Sequence, residues 1–109
     1  MTTGYGIIAQ AAPGATTNTD LYTVPSGTEL VGSTLYICNR GATATTFRVA
    51  LRPDGATITD AMYIAYDTPV AANDTTLVTA GLTLDATDII TVFAGNANLS
   101  FNLSGAKIT

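Results

Sequence analysis

The stretch Thr46-Phe47-Arg48-Val49-Ala50-Leu51-Arg52 decides the class of fold. Its large apolar residues, Phe47, Val49 and Leu51, recur at every second position, while Arg48, Ala50 and Arg52 fill the places between. That is the period of a strand with one face against a core and the other toward water, not the 3.6-residue period of a helix. The pattern repeats at the C-terminal end, where Leu99, Phe101 and Leu103 alternate with Ser100, Asn102 and Ser104. The same rule applied to Met62, Ile64 and Tyr66 places them inward, opposite Tyr63, Ala65 and Asp67. In Leu35-Tyr36-Ile37-Cys38 and Ile89-Ile90-Thr91-Val92-Phe93 the apolar residues are almost continuous, as in central strands covered on both faces, by the fold itself or by a second subunit.

Turn signals separate these segments at short intervals: Pro13-Gly14, Pro25-Ser26-Gly27, Asn39-Arg40-Gly41, Pro53-Asp54-Gly55, Pro69, Asn73-Asp74, Asp85 to Asp88, Gly95-Asn96 and Ser104-Gly105. Each supplies the fixed φ of proline or the tolerance of glycine and asparagine for positive φ. They leave room for about seven or eight strands and for no helix beyond a single turn, so the expected fold is all-β: an antiparallel β-sandwich, jelly-roll-like. At 109 residues the chain has the length of one domain with one core, and it shows neither an internal repeat nor a linker. Met1 to Ala12 reads as a first edge strand or as an arm that docks on a neighbour.

Only 11% of the residues are charged, and Lys107 and Glu29 are the sole lysine and glutamate. Thr and Ala supply roughly a third of the chain, and threonine favours strands. A weakly charged surface of small groups suits broad, permanent protein contacts. The net charge of −4, with Arg40, Arg48, Arg52 and Lys107 as the only cations, speaks against a nucleic-acid partner, which demands clustered positive charge. No run approaches the roughly 18 apolar residues of a membrane helix, and the start lacks the basic and apolar regions of a secretory signal. Cys38 is the single cysteine and reads as a small buried residue, leaving stability to packing or oligomerisation.

The chain contains no histidine, which removes the usual general base at neutral pH together with Ser-His-Asp, Cys-His and imidazole-zinc arrangements. Paired carboxylates can serve a glycosidase, but Asp20, Asp54, Asp60, Asp74, Asp85 and Asp88 occupy turn positions where aspartate caps local backbone. Asp85-Ala86-Thr87-Asp88 lacks the dense oxygen spacing of a calcium loop. The expectation is therefore a protein that is not an enzyme, with no catalytic residues, metal or cofactor.

The runs Leu21-Tyr22-Thr23-Val24-Pro25-Ser26-Gly27-Thr28 and Ser33-Thr34-Leu35-Tyr36-Ile37-Cys38-Asn39-Arg40-Gly41, leading into Thr46-Phe47-Arg48-Val49, resemble a small β-module of tailed phages, cyanophage-like in character. Asp88-Ile89-Ile90-Thr91-Val92-Phe93 and Asn98-Leu99-Ser100-Phe101 continue the likeness, which covers the chain from about Leu21 onward. The resemblance implies a virion structural protein on the outer capsid surface, a decoration or cement protein. Such a protein oligomerises, with a trimer the expected state, and binds across subunits of the major capsid protein. The alternative it implies is a tail-fibre or receptor-binding module for a host surface glycan. Neither role involves nucleic acid or membrane. Contact residues are expected on the outer faces of the nearly continuous apolar strands and on the N-terminal segment: Ile7, Ile8, Tyr36, Cys38, Tyr63, Ile89 and Phe93.

Overall fold

A computed structural model describes residues 2–79 and 81–109; Met1, the first residue of the N-terminal segment singled out above, lies outside them. The strands are β1 (Thr3–Ala11), β2 (Thr19–Thr23), β3 (Glu29–Asn39), β4 (Thr45–Arg52), β5 (Tyr63–Val70), β6 (Thr75–Val78), β7 (Leu82–Leu84), β8 (Ile89–Ala94) and β9 (Leu99–Ile108). Two single 3₁₀ turns, Pro53–Gly55 and Asp60–Met62, are the helical elements among the described residues. Among the described residues, no helix is long and apolar enough to cross a membrane.

One sheet runs in the order β1-β9-β3-β6, with β7 also on β3, and the other in the order β2-β8-β4-β5. Successive strands pass from one sheet to the other except at the β4-β5 and β6-β7 connections, which gives jelly-roll connectivity. β6 pairs with Leu35 to Cys38 and β7 with Leu30 to Gly32, so they occupy one lane beside β3 as a single broken strand. Among the described residues the sandwich thus has eight lanes built from nine strands. All of the strand pairings are antiparallel.

The inward residues read from the alternation meet in the middle. Leu99, Phe101 and Leu103 of β9 lie with Leu30, Leu35 and Ile37 of β3 on one side, and Phe47 and Val49 of β4 with Ile90 and Val92 of β8 on the other, all fully buried. Phe47 and Phe101 join the two sheets edge to face, with ring centroids 6.4 Å apart and planes at 72°, an arrangement favoured by the ring quadrupoles. Pro25-Ser26-Gly27 forms a hydrogen-bonded turn in which Thr28 N donates to Pro25 O at 3.2 Å. Gly27 supplies the φ of +77° that the turn requires.

Asn39, at the end of β3, is buried and ties three segments together. Its amide nitrogen donates to Thr43 O at 2.8 Å, to Ala71 O at 3.3 Å and to Val70 O at 3.4 Å, while its Oδ1 accepts from Gly41 N at 2.9 Å. Truncation removes all four bonds, and the Val70 carbonyl, whose bond is the buried one, is left without this partner. Asn39→Ala is expected to lower stability by about 2 kcal/mol, read from the urea midpoint at an unchanged slope.

One inward reading is corrected. Ile64 and Tyr66 are 42% and 56% exposed, and the residue between them, Ala65, packs against the core instead. The cause is irregular pairing with β4: Phe47 faces Thr68, Val49 faces Ala65 and Ala50 faces Tyr63, so β5 carries extra residues at two points. Each inserted residue reverses the faces of those beyond it. Asp67, at φ +48°, occupies one of these irregular stretches.

The N-terminal segment is an edge strand. β1 pairs with β9 from Thr3 to Ala11, and Thr2 and Thr109 exchange backbone hydrogen bonds at 2.7 and 2.8 Å, closing the two ends of the chain against each other.

Candidate functional site

The two outer faces of the sandwich differ in chemistry. On the β1-β9-β3-β6 sheet, register places Tyr5, Ala106, Val31 and Thr83 in one outward row, Ile7, Ser104 and Thr34 in the next, and Gln10, Asn102, Tyr36 and Leu77 further along. Among the described residues, these outward rows contain no Lys, Arg, Asp or Glu. Glu29 stands at one end of β3 and Arg40 just past the other. Tyr5 is 85% and Ile7 69% exposed, and Val31, Tyr36 and Leu77 are also exposed. Tyr5, Ile7, Val31 and Ser33 wall a groove of about 530 Å³ with Gly6, Gly105 and Ala106 along it.

Ile7 and Ile8, read together as an aliphatic pair, are separated by a β-bulge between Ile7 and Ala9. Ile7 projects outward, and Ile8 packs against the core. Tyr36 shares the outer face with Cys38, which is half-buried and free. Tyr5, Val31 and Leu77 were not singled out in the sequence. For Tyr5 and Val31 a signal was available as the absence of any charge before Asp20 and between Glu29 and Arg40, and for Leu77 as its absence between Asp74 and Asp85. It gains meaning only once β1, β9, β3 and β6 are known to be neighbours.

The β2-β8-β4-β5 face holds the ion pairs. Arg48 donates from Nε to Asp67 Oδ1 at 2.7 Å, and its guanidinium lies 4.1 Å from the ring centroid of Tyr66 and 4.4 Å from that of Phe93. The hydrogen bond to Asp67 holds the Arg48 pKa above its ordinary value. The guanidinium is therefore charged throughout the neutral range, and the stabilisation it gives is fully present there. Arg52 donates to Asp20 Oδ1 at 3.0 Å, to Thr91 Oγ1 at 3.3 Å, and to the carbonyls of Gly55 and Ala56 at 3.0 and 2.8 Å. Buried Thr91 in turn donates a hydrogen bond from Oγ1 to Asp20 Oδ1 at 2.9 Å. Phe93 and Ile89, expected to offer contact surface, are half-buried: Arg48 covers Phe93, and Ile89 sits under the turn containing Gly55.

Tyr63 and Tyr66 also lie on this side, with ring centroids 4.9 Å apart and planes at 85°. Three residues apart on a regular strand, they would point to opposite faces; the irregular pairing of β5 brings them together. With Asp60 they line a cleft of about 490 Å³.

Most of the carboxylates do structural work. Asp74 and Asp85 accept from the backbone N–H that follows each, at 2.8 Å. Asp88 accepts from Asp54 N and Asp85 N, both at 2.9 Å, and Asp54 accepts from Thr87 Oγ1 at 2.7 Å. Asp20 and Asp67 pair with arginines. Among the described residues, no three His, Cys, Asp or Glu side chains are grouped so as to hold a metal ion. Comparison with protein-family models, with curated proteins and with solved structures finds no match for this chain.

Proposed function

We propose that this domain is a non-enzymatic structural protein of a phage particle, a decoration or cement protein that joins itself and the major capsid protein on the outer capsid surface. The observation that carries the reading is the run of uncharged rows on the outer face of the β1-β9-β3-β6 sheet, with exposed Tyr5, Ile7, Val31, Tyr36 and Leu77. Charged groups are depleted and aromatic groups enriched at the centres of protein interfaces, because a charge stripped of water costs more than it returns. Exposed apolar groups gathered on one face mark a surface that associates. The ion pairs on the opposite face keep that side hydrated.

The role needs no reaction. A protein that binds the assembled shell and not its separated subunits stabilises the shell by mass action, and contact across a subunit boundary turns each buried patch into resistance to expansion. The test is to purify particles and measure their content of this protein and their resistance to heat with and without it. Stoichiometric occupancy on the outer shell, with earlier loss of DNA on heating when the protein is missing, is the expected result. Absence from particles, or equal thermal resistance, rejects the reading.

A further inference from the structure

We propose that the cleft between Asp60, Tyr63 and Tyr66 is a binding site for a neutral saccharide ring. It rests on residues of β5 and the turn before it, on the side of the sandwich that bears the ion pairs, so it stands or falls independently of the assembly role. Asp60 is the one aspartate among the described residues whose carboxylate accepts no hydrogen bond and forms no ion pair; the other six are held by backbone, by Thr87 or Thr91, or by arginine. The hydroxyls of Tyr63 and Tyr66 likewise make no hydrogen bond within the described residues, and Tyr66 is 56% exposed.

Three unengaged polar groups, one carboxylate and two phenols, therefore meet two aromatic rings around a cleft of about 490 Å³, within the size range of small-molecule sites. The chemistry selects the ligand class. A sugar ring has an apolar C–H face, which suits the electron-rich face of a tyrosine, and a rim of hydroxyls. A carboxylate accepts such hydroxyls in charge-assisted bonds, and each phenol can donate or accept. An anion meets the Asp60 carboxylate on a chain of net charge −4. The Arg48 guanidinium, 4.1 Å from the Tyr66 ring centroid, repels a second cation there and takes that face of Tyr66, so a sugar ring would meet Tyr63 or the other side of Tyr66. A neutral polyol is what remains.

The test is titration of the ¹⁵N-labelled protein with D-glucose, D-galactose, D-mannose and N-acetylglucosamine, with tetramethylammonium as the cationic comparison. Amide shifts of residues 60–67 report on the cleft. At least one sugar is expected to saturate these shifts with a dissociation constant on the order of 1 mM. Asp60→Asn, an exposed and isosteric change, is expected to weaken it by about 10-fold or more, and Tyr63→Phe or Tyr66→Phe by about 3-fold. The amide spectrum of each variant confirms that it folds. No saturable shift up to about 100 mM sugar, affinity unchanged in Asp60→Asn, or tighter binding of tetramethylammonium than of any sugar would each overturn the proposal.

Discussion

A Gly105→Ala protein is expected to lose about 3 kcal/mol or more of folding stability, a large part of the roughly 5–15 kcal/mol typical of a domain. Gly6, Gly105 and Gly32 lie in register across β1, β9 and β3, where the three backbones run side by side. A Cβ on residue 105 would overlap the Val31 carbonyl oxygen and stand 2.8 Å from the Gly32 Cα. Both obstacles are backbone, so no side-chain rotation relieves them, and the strands must part. β3 and β9 are paired over most of their lengths, from Glu29 with Ile108 to Asn39 with Leu99, and the core residues Leu30, Leu35, Phe101 and Leu103 ride on that pairing. Gly4→Ala is the matched control: a Cβ there has nothing within 4 Å, and a change below about 1 kcal/mol is expected. Urea unfolding of the two variants beside the parent protein reads the difference directly. Equal midpoints for the two would show that the close approach at Gly105 does not exist.

Replacing Tyr5 and Ile7 together by aspartate is expected to abolish assembly while leaving the fold intact. Both side chains are outward on the edge strand β1, at 85% and 69% exposure, so neither contributes to the core. Burying such a side chain at an interface is worth roughly 1.5–3 kcal/mol, and two of them correspond to about 100- to 10,000-fold in affinity. The aspartates add the cost of desolvating unpaired charge. They also charge a strand edge that carries none in the parent protein, and charge on an edge is a means by which natural sheets prevent pairing with other chains. On the proposed role, light scattering is expected to show an oligomer for the parent protein and a monomer for the variant at the same concentration, and the variant should not sediment with particles. Ile64→Asp, an exposed change on β5, serves as the comparison and should leave both measurements unchanged. Loss of assembly in Ile64→Asp with retention in the β1 variant would move the interface to the opposite sheet.

The sequence by itself determined the class of fold, most of the turns and the inward residues of the regular strands. Two turn signals were misread, since Pro69 lies within β5 and Ser104-Gly105 within β9, where the chain runs on through the ladder. Phe47 and Val49 of β4 and Leu99, Phe101 and Leu103 of β9 are buried as their alternation requires. That information is local: where one residue follows another on an uninterrupted pleat, spacing alone fixes which face it takes. The missing histidine and the aspartates in turns were legible in the same way, since composition and backbone capping need no partner strand.

Only the tertiary structure decided what lies on the two outer faces. Ile64 and Tyr66 carry the same alternation as Phe47 and Val49, yet they stand outside because β5 pairs irregularly with β4. A strand's irregularity is a property of the pair and leaves no trace in the period of one member. The same event sets Tyr63 beside Tyr66 and opens the cleft with Asp60. The uncharged rows are likewise invisible along the chain, because they draw on β1, β9, β3, β6 and β7, segments separated by up to a hundred residues and made neighbours only by the crossing of the chain between sheets. Charge scarcity was plain in the composition. That the ion pairs lie on one side, with Tyr5, Ile7 and Val31 facing outward together on the other, was settled by strand order.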